Sequence, residues 1–473
     1  MAKKLLPSKA EQSSEWYTTL VQLADLADYG PAKGTMILKP YGYALWEAVQ
    51  EKMNPMIKAR GVGNAYFPLF IPMSLLEQEA DHIEGFAPEL AIVTYGGGEE
   101  LEEKLAVRPT SETIMYQSYA KWIQSYRDLP IQMNQWNNVV RWEKRTMLFL
   151  RTSEFLWQEG HTAHATHQEA IDTQKWAMDM YESIYHDLFA MDGHVGYKST
   201  AERFAGADNT LTFEALMPSG KALQSCTSHD LGQNFSKAQD ISFLDQKSER
   251  QYVWQTSWGF STRSIGGLIL THGDDNGLVL PPRMAPTQVA IIPVRPEPET
   301  IDYCEQIKAS LEKAGIRVVL DSRDDESFGF KINKWEVKGA PLVAKIGNKE
   351  AEANIVTLKA RFSGEERQIS MEQVSPEAQA WLDGLHNAML DKQRKYLADN
   401  TRRVGNYEEF KSVIGEHKGF IEVYWNDDPA IEKRIKEETK ASSRCRLKND
   451  GSTGVDFVTG EPASERWVFA QSY

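Results

Sequence analysis

Cysteine is scarce in this chain: Cys226, Cys304 and Cys445 are the only three in 473 residues, and they are widely separated. A disulfide framework needs closely recurring pairs, so this usage points to a reducing compartment, the cytosol. Long apolar runs are missing too. No stretch approaches the ~20 residues that cross a bilayer, and the opening MAKKLLPSKAEQSSEW lacks the apolar centre of a signal peptide. Positive charge is not in excess. With 53 Lys and Arg against 67 Asp and Glu, the net charge is −14, so any nucleic-acid contact must use local basic patches. Internal repeats and compositionally simple segments are absent. What remains is an ordinary globular composition, 41% hydrophobic and 25% charged, on a chain too long for one core.

Three prolines in PPRMAP, Pro281 to Pro286, mark a boundary. Beyond it, QVAIIPV reads as a buried strand, Glu299 to Ala314 as a helix stopped by Gly315, and IRVVL as the next strand. This unit predicts a parallel sheet in a small α/β domain, 285–390. A charged, helix-rich segment then leads to an α/β tail, 391–473, with strands FIEVYW and RWVFAQSY. Before the boundary, in 1–284, strands and helices come in blocks, which predicts α+β with an antiparallel sheet. There, Trp46 to Ile57 reads as a helix feeding the strand NAYFPLF. Pro109-Thr110-Ser111-Glu112 opens a helix, and Thr166-His167-Gln168-Glu169 has the form of a capping box.

The stretch RWEKRTMLFLRTSEFLWQEGHTAH, Arg141 to His164, mixes charges with aromatics that belong in a core. Successive side chains of a strand point to opposite faces. As an antiparallel hairpin with a loop from Lys144 to about Phe149, the odd positions Arg151, Ser153, Phe155, Trp157, Glu159 and His161 share a face, with Arg141 and Glu143 on the opposite arm. Such a face packs poorly and suits a charged, planar ligand. The same residues also fit a structural network of cross-strand ion pairs. His161, His164 and His167 suggest zinc, but no regular spacing converges them.

Three features in order resemble the motifs of class II aminoacyl-tRNA synthetases: the helix and strand ending in Pro68-Leu69-Phe70, the Arg141-x-Glu143 strand with its loop and Arg151 strand, and the strand-to-helix stretch holding Arg263. RPTSE, LWQEGHTAH, CTSHDLGQNFSK and GLVLPPRMAP narrow the resemblance to prolyl-tRNA synthetases of the archaeal and eukaryote-like type. The match covers essentially the whole chain. It implies activation of L-proline with ATP and Mg2+ to prolyl-adenylate and pyrophosphate, then transfer to the 3′ end of tRNA(Pro), in a cytoplasmic homodimer built around the first motif.

Two anions must meet in that reaction, the proline carboxylate and the α-phosphate, and arginine's planar fork suits both. By resemblance Arg141 bridges them, Arg151 reaches the outer phosphates, Glu143 the adenine amino group, Phe155 stacks on adenine, and Arg263 holds the γ-phosphate, with Thr152, Gln224, Thr227 and Ser261 beside the nucleotide. Thr110 and Glu112 would take the secondary ammonium, with Trp157, Glu159, His161, Phe204 and His229 completing the proline pocket. Seen alone, Pro-Thr-Ser-Glu is equally a helix start with a capping hydroxyl and an acidic first turn. Thr227 and His229 share strand parity and Gln224 does not, so a bulge or turn must intervene. Only 112 positions separate Arg151 from Arg263, too few for the inserted editing domain of many bacterial relatives.

The family reads the anticodon with the domain after the boundary. There SFGFKINKWEVKGAP offers Lys331, Lys334 and Lys338 with Phe328, Phe330 and Trp335 between them, and Glu336 as a base-edge candidate. The same residues read equally as core aromatics and a solvated lysine face. Lys433, Arg434, Lys436, Arg444, Arg446 and Lys448 form a second basic region. Many relatives carry two cysteine pairs for zinc in the tail. Here the corresponding positions are Asn426 and Ile431, then Asp456 and Thr459, so no structural zinc is expected. Packing of Phe420, Ile421, Val423, Tyr424, Ile435, Val468 and Phe469 would replace it. The final Tyr473 matches relatives whose terminus turns back to the catalytic domain. Two other readings remain: a class II synthetase for another amino acid, and a catalytically silent tRNA-binding paralogue.

Overall fold

The computed structural model describes residues 6–77, 90–416 and 418–473. Its largest sheet has eleven strands. The centre is antiparallel and runs Gly193–Tyr197, Asn209–Leu216, Ala222–Gly232, Trp254–Ser261, Glu154–His164, Ile131–Val140. Even-numbered residues of Glu154–His164 face the helix His167–Ile184, where the Tyr181 hydroxyl donates to Gln158 at 2.6 Å. Gly160 is required on this side, because a Cβ there would lie 2.1 Å from the Trp258 ring. Odd-numbered residues face the opposite way, into a cleft. The Thr166–Glu169 capping box is present, with reciprocal bonds of 3.4 and 3.1 Å.

Two local expectations change. NAYFPLF is not one strand. The helix Pro40–Ala59 is followed by a two-residue strand, Gly63–Asn64, and pairing resumes only at Phe70–Pro72. Pro68 has no amide hydrogen to give a ladder, so this segment is held by side chains: Phe67 N–H donates to Gln135, and Arg108 donates to the Phe67 carbonyl at 2.6 Å. The hairpin strands also stop earlier than read, at Val140 and Glu154. Arg141 N–H to Ser153 O at 2.8 Å is the last rung. Phe149, at φ +62°, lies within the intervening loop. Arg141, Glu143 and Arg151 therefore project from a loop, and Ser153 packs against Gly34 instead of the cleft.

Beyond the prolines, Val289–Pro293, Pro298–Lys313 and Val318–Leu320 form the β-α-β unit, and Leu342–Ile346 adds a third parallel strand. The sheet is mixed, since Ile355–Ala360 and Glu366–Ser370 join antiparallel. The connection after Ile346 carries only the short helix Asn348–Ala353, too little for the dozen-residue crossover a parallel partner needs. The tail builds no separate main sheet. Its strands Thr401–Arg403, Phe420–Tyr424, Arg466–Gln471 and Ala441–Arg446 extend the large sheet, joined where Arg446 pairs with Tyr197. Phe420, Ile421, Val423, Ile435, Val468 and Phe469 are buried as expected; Tyr424 is only partly so, its hydroxyl donating to Ser452 at 2.7 Å. Burial of such side chains contributes ~1.5–3 kcal/mol each before entropy. Where the tail's cysteine pairs would stand, Asp456 draws the two segments together by accepting from the Asn426, Val458 and Thr459 amides at 2.9, 2.9 and 3.0 Å. No described helix is long and apolar enough to cross a membrane.

Candidate active site

Odd-numbered side chains of Glu154–His164 form one wall of a cleft with a cavity of about 250 Å3. Thr110, Glu112, Arg141, Trp157, Glu159, His161, Phe204 and His229 all line it, as do Phe155, Gln224, Thr227, Ser261 and Arg263. A second cavity of about 210 Å3 adjoins it and adds Glu143, Arg151 and Thr152, sharing Arg141, Phe155, Ser261 and Arg263 with the first. Four shared walls make these two ends of a single cleft. Gln224 joins Thr227 and His229 through a β-bulge: Thr212 pairs with Thr227 and Glu214 with Gln224, so the strand Ala222–Gly232 carries one extra residue between them.

One end is rich in arginine. Arg263 donates to the carbonyls of Leu150 at 2.8 Å and Gln224 at 3.2 Å. Burial first, then repulsion from Arg141 and Arg151, pushes its pKa down to about 10, with Glu143 opposing. Glu143 pairs with Arg151 at 2.9 Å. Arg141 donates to Pro109 O at 3.1 Å and lies 5.6 Å from the Phe155 ring and 5.4 Å from the Trp157 ring. Cations crowded this closely repel one another until an anion arrives, which is the electrostatics of a polyanion site.

The other end holds carboxylates and imidazoles. Ser111 does not cap the helix Glu112–Trp122 with its side chain; its hydroxyl donates to Glu159, while Thr110 donates to Glu112. Glu159 also accepts from Asn137 at 2.7 Å, Gln135 at 3.1 Å and His161 Nε2 at 2.9 Å. Its lone pairs are spent on the protein, so it fixes the wall and orients His161. Burial works to lower the His161 pKa, but the carboxylates of Glu112 and Glu159 outweigh it and raise the group above its ordinary value. His229 goes the other way, to about 4, chiefly by burial, with Glu112 opposing and His161 and Arg141 adding. It sits between the hydroxyls of Thr210 and Thr227, 2.9 Å from each, under Phe204 at 4.5 Å. Trp157 Nε1 and Ser257 Oγ are buried there without a partner, at a cost of ~1–3 kcal/mol each that a polar ligand removes.

The three histidines do not converge. His161 faces the cleft, His164 bonds Thr162 at 2.8 Å, and His167 bonds Asp230 at 2.8 Å. Among the described residues His167, Asp208 and Asp230 bring potential ligand atoms within 4.8 Å of one another, but Asn234, Asn209 and the Gly232 amide occupy those carboxylates. Residues missed in the sequence include Lys198 and Glu202, which precede the strand Asn209–Leu216, Thr210 on that strand, and Ser257, Gly259 and Thr110's neighbour Ser111. Ser257 and Gly259 stand four and two residues before Ser261 on the strand Trp254–Ser261, so strand alternation from Ser261 would have found them.

The nucleic-acid candidates come out differently. Lys331 is buried, donating to Arg323 O at 2.7 Å; Lys334 lies 3.6 Å from Asp321; Lys338 pairs with Asp25 at 2.8 Å; Glu336 lies 3.7 Å from Lys359. Trp335 is core, and Phe330 is 54% exposed. In the second basic region Arg434, Lys436, Arg444 and Arg446 are paired with Glu438, Glu202, Glu214 and Glu465. Each of these cations has a partner within the protein, several of them in exposed ion pairs.

Residues 94–272 match the family model "tRNA synthetase class II core domain (G, H, P, S and T)", 288–381 the "Anticodon binding domain", and 407–473 "Prolyl-tRNA synthetase, C-terminal". The chain is 47% identical to a proline–tRNA ligase of Rubrobacter xylanophilus, over 100% of this chain and 99% of that protein. It superposes on prolyl-tRNA synthetase from Cryptosporidium parvum complexed with halofuginone and AMPPNP with a TM-score of 0.95, at 39% identity and 99% coverage of both chains. On the complex of that enzyme with L-proline and AMP the TM-score is 0.93, at 38% identity. With the catalytic core, the anticodon-binding domain and the C-terminal domain all matched and the full length aligned, the chain belongs to the prolyl-tRNA synthetases, the class II proline–tRNA ligases.

Proposed function

We propose that the arginine-rich end of the cleft takes ATP and the carboxylate–imidazole end takes L-proline, with Arg141 at their junction drawing the proline carboxylate onto the α-phosphate. The observation that carries this is the pair of cavities sharing Arg141, Phe155, Ser261 and Arg263. Arg263 and Arg151 hold the outer phosphates, Phe155 and Glu143 the adenine, with Thr152, Thr227 and Ser261 alongside. Thr110 and Glu112 receive the ring ammonium against Trp157, Phe204 and His229, and Glu159 with His161 keeps that wall in place. Prolyl-adenylate formed there then passes its acyl group to the 3′ end of tRNA(Pro). This face gains most of its rate from positioning and charge neutralisation.

Mg2+ arriving with ATP would neutralise phosphate charge, and the amide oxygen of Gln224 is the protein donor suited to it. Cys226, the thiol in that wall, is kept protonated by burial and leaves the oxygen donors to the cation. Structural zinc has no place in this proposal, because Asp456 already ties the two tail segments together. The absence of a bacterial-type editing insertion is supported by the 112 positions between Arg151 and Arg263, which are largely taken up by strands of the central sheet and the helix His167–Ile184. A homodimer is supported by the exposed Tyr29, Ile37 and Tyr66 around the helix Pro40–Ala59, and a cytoplasmic setting by three free, buried cysteines. Anticodon contacts would centre on the helix Phe328–Val337. Pyrophosphate exchange with each of the twenty amino acids tests the reading. Proline alone should drive it without tRNA; exchange driven best by another amino acid would favour the related-synthetase alternative, and none at all the silent paralogue.

A further inference from the structure

Lys198, Glu202 and Phe204 reach the cleft from one segment, 198–208, which joins the strands Gly193–Tyr197 and Asn209–Leu216. The C-terminal domain grips the start of this segment at successive points. Glu214 is fully buried and accepts from Lys198 at 3.0 Å and from both arms of the Arg444 guanidinium at 2.9 and 2.8 Å. The buried carboxylate of Glu432 accepts from the Ser199 hydroxyl at 2.7 Å and the Ser443 amide at 2.9 Å. Asp427 accepts the Thr200 amide at 3.1 Å and its hydroxyl at 2.9 Å. Lys436 reaches Glu202 at 2.9 Å. At its far end the segment meets the pocket: Phe204 N–H donates to Thr210 at 3.1 Å, and the Phe204 ring lies 4.5 Å from the His229 ring, tilted by 31°.

Stability alone explains this arrangement badly. Desolvating a Lys–Glu–Arg triad is costly, and apolar packing of similar volume often serves stability as well or better. What such a network supplies is one geometry. Asp427 adds a further sign, since it holds a left-handed backbone, φ +50°, that glycine adopts freely and aspartate only at a modest cost. The strain is spent where its carboxylate takes both hydrogens of Thr200.

We propose that the C-terminal domain sets the affinity of the cleft for proline by fixing the wall 198–208, with Asp427 and Glu432 as positioning residues that act through Thr200 and Ser199, and Arg444 as one that acts on Lys198 through the shared Glu214 carboxylate. This rests on the assignment of that end of the cleft to proline. The full-length enzyme tests it by steady-state ATP–pyrophosphate exchange. Asp427→Gly removes the carboxylate while relieving the backbone, so the fold should hold its Tm. KM for proline should rise about tenfold, with kcat and KM for ATP within twofold of wild type. Asp427→Asn, which retains one acceptor for Thr200, should recover most of the affinity. Glu432→Ala should repeat the proline-specific rise through a separate contact. An unchanged KM for proline in both Asp427→Gly and Glu432→Ala overturns the proposal. So does a loss shared equally by proline and ATP that follows a lowered Tm, which would mark the contacts as structural only. Wild-type enzyme showing no proline-dependent exchange would instead overturn the assignment of the cleft beneath it.

Discussion

The strand Glu154–His164 and the helix Phe328–Val337 were both marked in the sequence by charges set among aromatics, and the fold treats them in opposite ways. On the strand, Phe155, Trp157, Glu159 and His161 open together onto a cavity. On the helix, Lys331, Lys334, Glu336 and Lys338 each find a partner within the protein, and Phe330 is left exposed. A strand has two faces, so alternation alone assigns every residue to one of them. A helix offers a full circle, and long lysine side chains bend back to acids that neighbouring elements supply. Asp321 and Glu326 precede the helix by a few residues and Asp25 comes from a distant segment, and helical spacing alone does not announce any of them.

Removing the charge at the junction of the cleft is the strongest way to break the comparison. Arg141→Ala should lower proline-dependent exchange several hundred-fold or more, since loss of one oriented donor in such a site costs ~3 kcal/mol or more. Lys331→Ala should leave the same exchange near wild type, its effect confined to stability. A folded Arg141→Ala protein exchanging within threefold of wild type would place the cleft face on the same footing as the helix.

What was legible followed from local periodicity. The hairpin face, the capping box at Thr166 and the β-α-β unit were readable, because each is set by residues close in sequence, whereas the break between Gln224 and Thr227 was open between a bulge and a turn until the pairing with Thr212 and Glu214 decided it. The ends of the hairpin were not, since the rung from Arg141 to Ser153 depends on how the loop curls. Lys198 and Glu202 were missed because their segment is positioned by Asp427, Glu432 and Arg444, more than two hundred residues away. The fate of the second basic region was hidden for the same reason. Its arginines look available for RNA until the catalytic sheet brings Glu214 beside Arg444.

The two imidazoles of the cleft sharpen the contrast by titrating in opposite senses. His229 is held near 4 in the folded chain against about 6.5 unfolded. Between those values the unfolded chain binds the proton, so stability present above pH 6.5 is lost as the pH falls towards 4. The slope is about 1.4 kcal/mol per unit, and the total about 3 kcal/mol. His164 and His272 are also held near 4 and should add similar slopes. His161, raised by its carboxylates, works in reverse: its contribution is complete below about 6.5 and fades as the pH rises through its elevated value. Urea unfolding followed from pH 7 to 4.5 should show His229→Gln losing less stability than wild type, since one of the lowered imidazoles no longer titrates. Identical pH dependence in the two proteins would contradict the buried, neutral state of this residue.

On the helix side the informative residue is the aromatic. Phe330 is exposed while its lysine neighbours are engaged, and stacking on an unpaired base is worth ~1–3 kcal/mol. Phe330→Ala should therefore raise KM for tRNA(Pro) about tenfold in aminoacylation and leave pyrophosphate exchange unchanged, since no tRNA takes part in that step. Equal KM values for tRNA would remove this helix from the anticodon interface.

The smallest effect is expected at the terminus, where tail and catalytic region meet once more. Tyr473 N–H donates to Ala222 O at 3.2 Å, its hydroxyl lies 2.9 Å from that of Ser219, and Lys221 stands 5.3 Å from its ring. These contacts hold the first turn of the strand Ala222–Gly232, which two residues later presents Gln224 to the cleft. The ring is 43% exposed, so little apolar burial is at stake, and two partly exposed hydrogen bonds contribute about 1 kcal/mol or less apiece. Deleting Tyr473 should leave the melting temperature nearly unchanged while lowering aminoacylation a few-fold, with KM for ATP more affected than KM for proline. That is the reverse of the pattern expected at Asp427, because Gln224 stands at the nucleotide end and Phe204 at the other. Kinetics indistinguishable from wild type would reduce the terminal tyrosine to the last rung of an edge.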